Sequence, residues 1–183
     1  MLRSICKWVL YRLMRWRVEK TVDFPKKYII CLAPHTSNMD FLIGQLYMRA
    51  EGLHINFMMK KEWFIWPLGL LFRRIGGVPV CRNKHTRMTD SLADAALKSN
   101  TFCLCITPEG TRSLNADWKK GFYYIALKAE IPILLYGLDY KRKLIQCTKS
   151  FVPTGDIDKE MKEIKSYFKT FTGKHPQLFT TGD

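Results

Sequence analysis

Short apolar runs alternate with helical patterns along this chain. Residues Tyr28–Ala33 are continuously apolar, as a strand covered on both faces should be. Further strand-like runs lie at Ile55–Met59, Val78–Cys81, Phe102–Thr107, Ile133–Asp139 and Leu144–Thr148. Between them the apolar spacing predicts helices over Asn38–Glu51, Trp63–Ile75, Thr86–Ser99, Trp118–Glu130 and Ile157–Phe171. In the last of these, Ile157, Met161, Ile164, Phe168 and Phe171 fall at helical spacing with lysines between them. Strand and helix in alternation predict an α/β fold: a single domain with a central, largely parallel mixed sheet flanked by helices. No repeat, low-complexity tract or linker divides the chain.

The first twenty residues read differently. Leu2, Ile5, Cys6, Val9, Leu13 and Trp16 share one helical face, and Arg3, Lys7, Arg12, Arg15, Arg17 and Lys20 surround it. Trp8, Tyr11 and Trp16 add rings suited to the headgroup boundary. This pattern predicts a basic amphipathic helix over 1–20 lying in a membrane surface, set apart from a folded domain over 21–183.

Charge sharpens that picture. Thirty Lys+Arg against sixteen Asp+Glu give a formal net charge of +14, which favours polyanions: nucleic acid, anionic lipid, a phosphorylated substrate or an acidic carrier protein. No zinc-finger, helix-turn-helix or RNP-like signature accompanies the charge, so nucleic acid is not the expected partner. A membrane-spanning helix needs roughly 20 consecutive apolar residues. The longest apolar run, Phe64 to Phe72, is too short and contains Pro67 and Gly69. That run is open to two readings, a lipid-contacting or groove-lining segment and an ordinary buried helix. The N-terminal apolar residues are interrupted by arginines, so no cleavable signal is expected. The six cysteines form no C-x-x-C pair and are expected to be reduced thiols with no metal role.

Candidate chemistry gathers at strand ends. Ala33-Pro34-His35-Thr36-Ser37-Asn38-Met39-Asp40 follows the first buried strand and opens a helix, which places His35 at the sheet edge where open α/β folds hold ligands. Ser37-x-x-Asp40 has capping-box spacing. With Ser37 as N-cap, the Asp40 carboxylate turns back towards His35, where it can fix one imidazole nitrogen and leave the other as a base. Pro108-Glu109-Gly110-Thr111-Arg112-Ser113 follows another strand and brings a tight glycine turn and an arginine fork suited to phosphate. Gly76-Gly77-Val78-Pro79-Val80-Cys81-Arg82 ends a third strand in another arginine. His54, His85 and His175 lack comparable context and are expected to be surface or structural residues. Neither a G-x-S-x-G elbow nor a phosphate loop is present, which favours direct transfer over a covalent acyl-enzyme.

Together these residues resemble the glycerolipid acyltransferases, a family that includes lysophosphatidic acid acyltransferases. His35…Asp40 matches the family's H-x4-D block, and residues 108–113 match every letter of P-E-G-T-R-S. Gly76, Gly77 and Arg82 match the glycine-to-arginine block, and Pro132 the proline that opens a later strand. The resemblance implies that His35 is the general base and Asp40 its orienting partner. It implies that Arg82, Glu109, Gly110, Thr111 and Arg112 form the acceptor-binding surface, with the arginines favouring a phosphate. It implies a fatty acyl donor, acyl-CoA or acyl-acyl carrier protein, and a lysolipid acceptor, foremost 1-acyl-glycerol-3-phosphate. No metal or other cofactor is expected, and the place of work is the cytoplasmic face of a membrane, held peripherally at an anionic surface. Residues 21–183 are then the acyltransferase domain. Pro34, Thr107 and Cys81 stand where the family often has Asn, Phe and an acidic residue. These departures leave the catalytic pair intact but keep a lyso-aminolipid acceptor as an alternative. A non-catalytic peripheral membrane-binding protein is a separate alternative, against which the intact His35/Asp40 pair and both arginines stand.

Overall fold

Strand β2 (Lys27–Ala33) sends Ile29, Cys31 and Ala33 into one apolar core and Tyr28 and Ile30 into another, so both of its faces are covered. This explains its unbroken apolar run. In this computed structural model, residues 1–80 and 85–182 are described, apart from the side chains of residues 85–87.

Seven strands form one sheet in the order β1-β7-β6-β2-β5-β3-β4. The remaining strands are β1 (Arg17–Lys20), β3 (Asn56–Lys60), β4 (Gly77–Val80), β5 (Phe102–Ile106), β6 (Ile133–Asp139) and β7 (Leu144–Phe151). From β6 to β4 every neighbouring pair is parallel, whereas β7 runs antiparallel to β6 and carries β1 parallel to itself. The expected parallel block with a mixed margin is therefore present. Helices α1 (Leu2–Lys7) and α2 (Asn38–Glu51) cover one face. Helices α4 (His85–Lys98), α5 (Gly121–Ala129) and α6 (Ile157–Phe168) cover the other, and α3 (Leu68–Arg74) precedes β4. Fully buried Phe122, Tyr123 and Phe168 join Ile29, Cys31 and Ala33 in the core beneath α4, α5 and α6, each ring worth roughly 1.5–3 kcal/mol of burial. Phe171 lies just beyond α6 and packs on β6 at Gly137, where a Cβ would sit 2.0 Å from the ring.

Three elements depart from expectation. The N-terminal helix is shorter: α1 runs into a wider helical stretch at Trp8–Leu13, Arg15 takes a left-handed conformation (φ 59°), and residues 17–20 form strand β1. All four β1 residues are exposed at the sheet edge, so no apolar period marks them. The apolar face named from the sequence is divided: Cys6 and Trp16 are buried together with Leu10, whereas Leu2, Ile5 and Leu13 are exposed. Arg3 donates from Nε to the Ala50 carbonyl, and Tyr11 to a Glu51 carboxylate oxygen, which holds this helix on α2. Finally, the helix expected over Trp63–Ile75 is broken into a short turn at Lys61–Trp63 and α3, because Pro67 supplies no backbone N–H. No helix among the described residues is long and apolar enough to cross a membrane.

Candidate active site

Three adjacent parallel strands, β6, β2 and β5, end at the same edge, and each delivers one residue to a common centre. His35 follows β2, Glu109 follows β5 and Tyr140 follows β6.

Local sequence sets the first of these. Ser37 is the N-cap of α2: its Oγ accepts from the Met39 N–H at 3.2 Å, and Asp40 reaches back to the Ser37 N–H at 2.9 Å. That return brings Asp40 Oδ2 to 2.9 Å from the Thr36 N–H and 3.1 Å from His35 Nδ1. Asp40 is 1% exposed, yet its charge is well met, because Oδ2 accepts three N–H groups and Oδ1 accepts the Tyr140 hydroxyl at 2.5 Å. With Nδ1–H donated to the carboxylate, the other nitrogen of His35 carries the lone pair. The His35 side chain is 16% exposed, so the imidazole is walled in but reachable.

Glu109 turns inward. The resemblance placed it on an acceptor-binding surface, but it is 4% exposed and both carboxylate oxygens accept the His35 backbone N–H, at 2.9 and 3.1 Å. It thus fixes the loop that carries the imidazole. Burial pushes its carboxyl up to about 8; the His35 N–H acts in the opposite direction and the Asp40 charge adds to the rise. Gly110 turns the chain out of β5 with φ 65°, and Asn115 Nδ2 donates to the Glu109 carbonyl at 2.8 Å, which holds the loop in place. Thr111 Oγ1 accepts the Ser113 N–H, and the Arg112 side chain is exposed on the outside of this loop. Arg82 lies outside the described residues. His54 is exposed, and the His175 N–H donates to Thr36 Oγ1 at 3.1 Å.

A raised carboxyl pKa is a stability statement. The neutral Glu109 is favoured by folding, so its contribution is fully present below about pH 4.5 and is lost as pH rises through about 8. Glu109→Gln removes that dependence. The variant's denaturation midpoint is therefore expected to gain on wild type between pH 5 and pH 9, by up to the order of 4 kcal/mol. Parallel urea titrations at the two ends of this range check it. A constant difference between the two proteins would mean that Glu109 is ionised throughout.

Tyr140 escaped sequence reasoning. Burial and the adjacent Asp40 hold its hydroxyl far above the ordinary tyrosine range, so it remains a donor to Asp40. Its backbone N–H donates to the Thr172 carbonyl at 2.8 Å, and Trp16 packs edge-on against its ring at 5.1 Å. The available signal was its place directly after a wholly buried strand, but only the strand order puts that end beside His35.

Comparison with known proteins adds the family. The model of the family described as Acyltransferase matches residues 15–135, well over half of the chain. The chain belongs to the acyltransferase family. The match takes in His35, Asp40, Glu109 and Arg112 and ends within β6. The chain is 31% identical over 119 residues to a probable 1-acyl-sn-glycerol-3-phosphate acyltransferase of Mycoplasma pneumoniae, covering 61% of the chain and 44% of that relative. It is 24% identical over 139 residues to the human 1-acyl-sn-glycerol-3-phosphate acyltransferase beta, covering 73% and 49%. With the 1-acyl-sn-glycerol-3-phosphate acyltransferase of Saccharomyces cerevisiae it shares 28% over 120 residues, covering 61% and 39%. The chain thus spans less than half the length of these relatives. The crystal structure of a 1-acyl-sn-glycerophosphate acyltransferase from Thermotoga maritima superposes with a TM-score of 0.61 at 19% identity, covering 92% of this chain and 75% of the other. The two share a fold.

Proposed function

We propose that this protein transfers a fatty acyl group from acyl-CoA or acyl-acyl carrier protein to the hydroxyl of a lysolipid, foremost 1-acyl-glycerol-3-phosphate, in phospholipid synthesis. The observation that carries the reading is the 3.1 Å contact between His35 Nδ1 and Asp40 Oδ2, which reserves Nε2 for a substrate proton.

In this reading Nε2 of His35 takes the proton of the acceptor hydroxyl as its oxygen attacks the thioester carbonyl. The tetrahedral adduct collapses to an ester, the C–S bond breaks, and the imidazolium returns the proton to the departing thiolate. Asp40 orients the ring and stabilises its charged form. Glu109 and Tyr140 are positioning residues, Glu109 through the His35 N–H and Tyr140 through Asp40. Arg112, with Arg82, binds the acceptor phosphate, and Gly110 and Thr111 shape the surface beside it. No metal or other cofactor takes part. The exposed apolar side chains of the helix within residues 1–20, among its arginines, hold the enzyme peripherally on an anionic bilayer at the cytoplasmic face.

The test is a mass-resolved transfer assay, pairing each donor with lysolipids of different headgroup. Product from 1-acyl-glycerol-3-phosphate is expected with the highest kcat/KM. Product only from a lyso-aminolipid would reassign the arginines, and no product from any pair would favour a non-catalytic membrane-binding role. Tyr140→Phe adds a finer check. It removes one donor to a buried charge, so kcat is expected to fall about tenfold with KM held, the scale of roughly 1.5 kcal/mol. A lower melting temperature at unchanged kcat would assign Tyr140 to packing alone.

A further inference from the structure

The segment between β3 and β4 is built inside out for a soluble protein. Phe64 and Phe72 turn towards the domain, with their rings 6.1 Å apart, and Gly69 comes so close to the Phe64 carbonyl that a Cβ would lie 2.6 Å from its oxygen. The other apolar side chains point away from the protein. Trp63, Ile65, Trp66, Leu68, Leu70 and Leu71 are 51, 63, 84, 44, 64 and 52% exposed. Six large apolar residues within nine positions form a crest, where isolated exposed apolar residues would be ordinary. Exposed Lys60, Lys61, Arg73 and Arg74 stand at its two ends against a single acid, Glu62. Of the two readings the sequence leaves open for this run, the ordinary buried helix is therefore absent.

We propose that this crest is a membrane-docking element, separate from the N-terminal helix, that inserts into an anionic bilayer and lays the catalytic edge on its surface. The residue types fit that occupant: tryptophans for the headgroup boundary, leucines and an isoleucine for the acyl region, and cations at both ends for anionic headgroups. A protein partner of ordinary surface would leave the four cations without matching charge. Position supports the same occupant. The crest leaves the C-terminal end of β3, two strands from β2 and at the same sheet edge as His35, a lateral offset of about 10 Å. Docking would bring the imidazole to the plane from which a lysolipid is drawn. The inference rests on the acyl-transfer reading for its purpose but not for its physics.

The experiment uses the full chain, vesicles of phosphatidylcholine with and without phosphatidylglycerol, and Trp66→Ala combined with Leu70→Ser. Both substitutions lie on outward side chains, and circular dichroism checks that the fold is kept. Wild type is expected to bind the anionic vesicles at least tenfold more tightly than the variant. Bromine carried on the acyl chains should quench wild-type tryptophan fluorescence and quench Trp66→Phe less. With a water-soluble, short-chain acceptor, kcat should be the same in the wild type and the double variant. Equal vesicle binding and no depth-dependent quenching would overturn the proposal, whatever the transfer assay shows. So would a wild-type dimer that becomes monomeric in the variant with vesicle binding unchanged, since a second copy would then cover the crest. Intact quenching in a protein without transferase activity would leave the docking surface standing and remove the catalytic reading instead.

Discussion

His35→Ala is expected to lower kcat/KM for acyl transfer by about 10²- to 10⁴-fold, the usual contribution of a positioned general base. The fold should tolerate the change. The imidazole hydrogen-bonds Asp40, and Asp40 keeps the Thr36 and Ser37 N–H groups and the Tyr140 hydroxyl. The cost in stability is therefore about 1 kcal/mol. Steady-state kinetics beside a thermal melt separate the two effects. Activity within tenfold of wild type would remove His35 from the role of base.

Asp40→Asn is expected to have an effect of similar size for a different reason. The asparagine carbonyl can occupy the Oδ2 position and still accept from His35, Thr36 and Ser37, while its amide faces the Tyr140 oxygen, whose hydroxyl can rotate to accept. Geometry survives and charge does not. An imidazolium formed during transfer then has no carboxylate beside it, so turnover should fall about 10²- to 10⁴-fold with KM little changed. Loss of the charge-assisted bonds should cost roughly 1–3 kcal/mol of stability. Asp40→Ala would be the harsher change, because it leaves two N–H groups of the His35 loop without their acceptor. A variant Asp40→Asn with wild-type kcat would show that the carboxylate only caps the helix.

Much of this arrangement was legible in the chain. The unbroken apolar run before His35 announced a strand buried on both faces, and Ser37-x-x-Asp40 announced the cap that brings Asp40 back to the imidazole. Both are local effects, governed by burial and by hydrogen bonding over a few residues. What stayed hidden is non-local. Tyr140 reaches Asp40 across one hundred positions, and Glu109 reaches the His35 N–H across seventy-four. Only the strand order β6-β2-β5 makes those ends neighbours, and no periodicity encodes it. Edge strand β1 was hidden because solvent-exposed Arg17, Glu19 and Lys20 satisfy any pattern that surrounds a basic helix. The crest at 63–71 defeats burial logic outright: apolar spacing reports which residues avoid water, not whether protein or lipid receives them.

Direct transfer with His35 as base can be read from a chemical-quench experiment. Wild type and His35→Ala are each mixed with a donor labelled in its acyl group, with and without 1-acyl-glycerol-3-phosphate, and quenched over a single turnover. Label is expected in the lipid product only when acceptor is present and His35 is intact, with none retained on the protein. Label bound to the protein in the absence of acceptor, or product forming at the wild-type rate in His35→Ala, would contradict it.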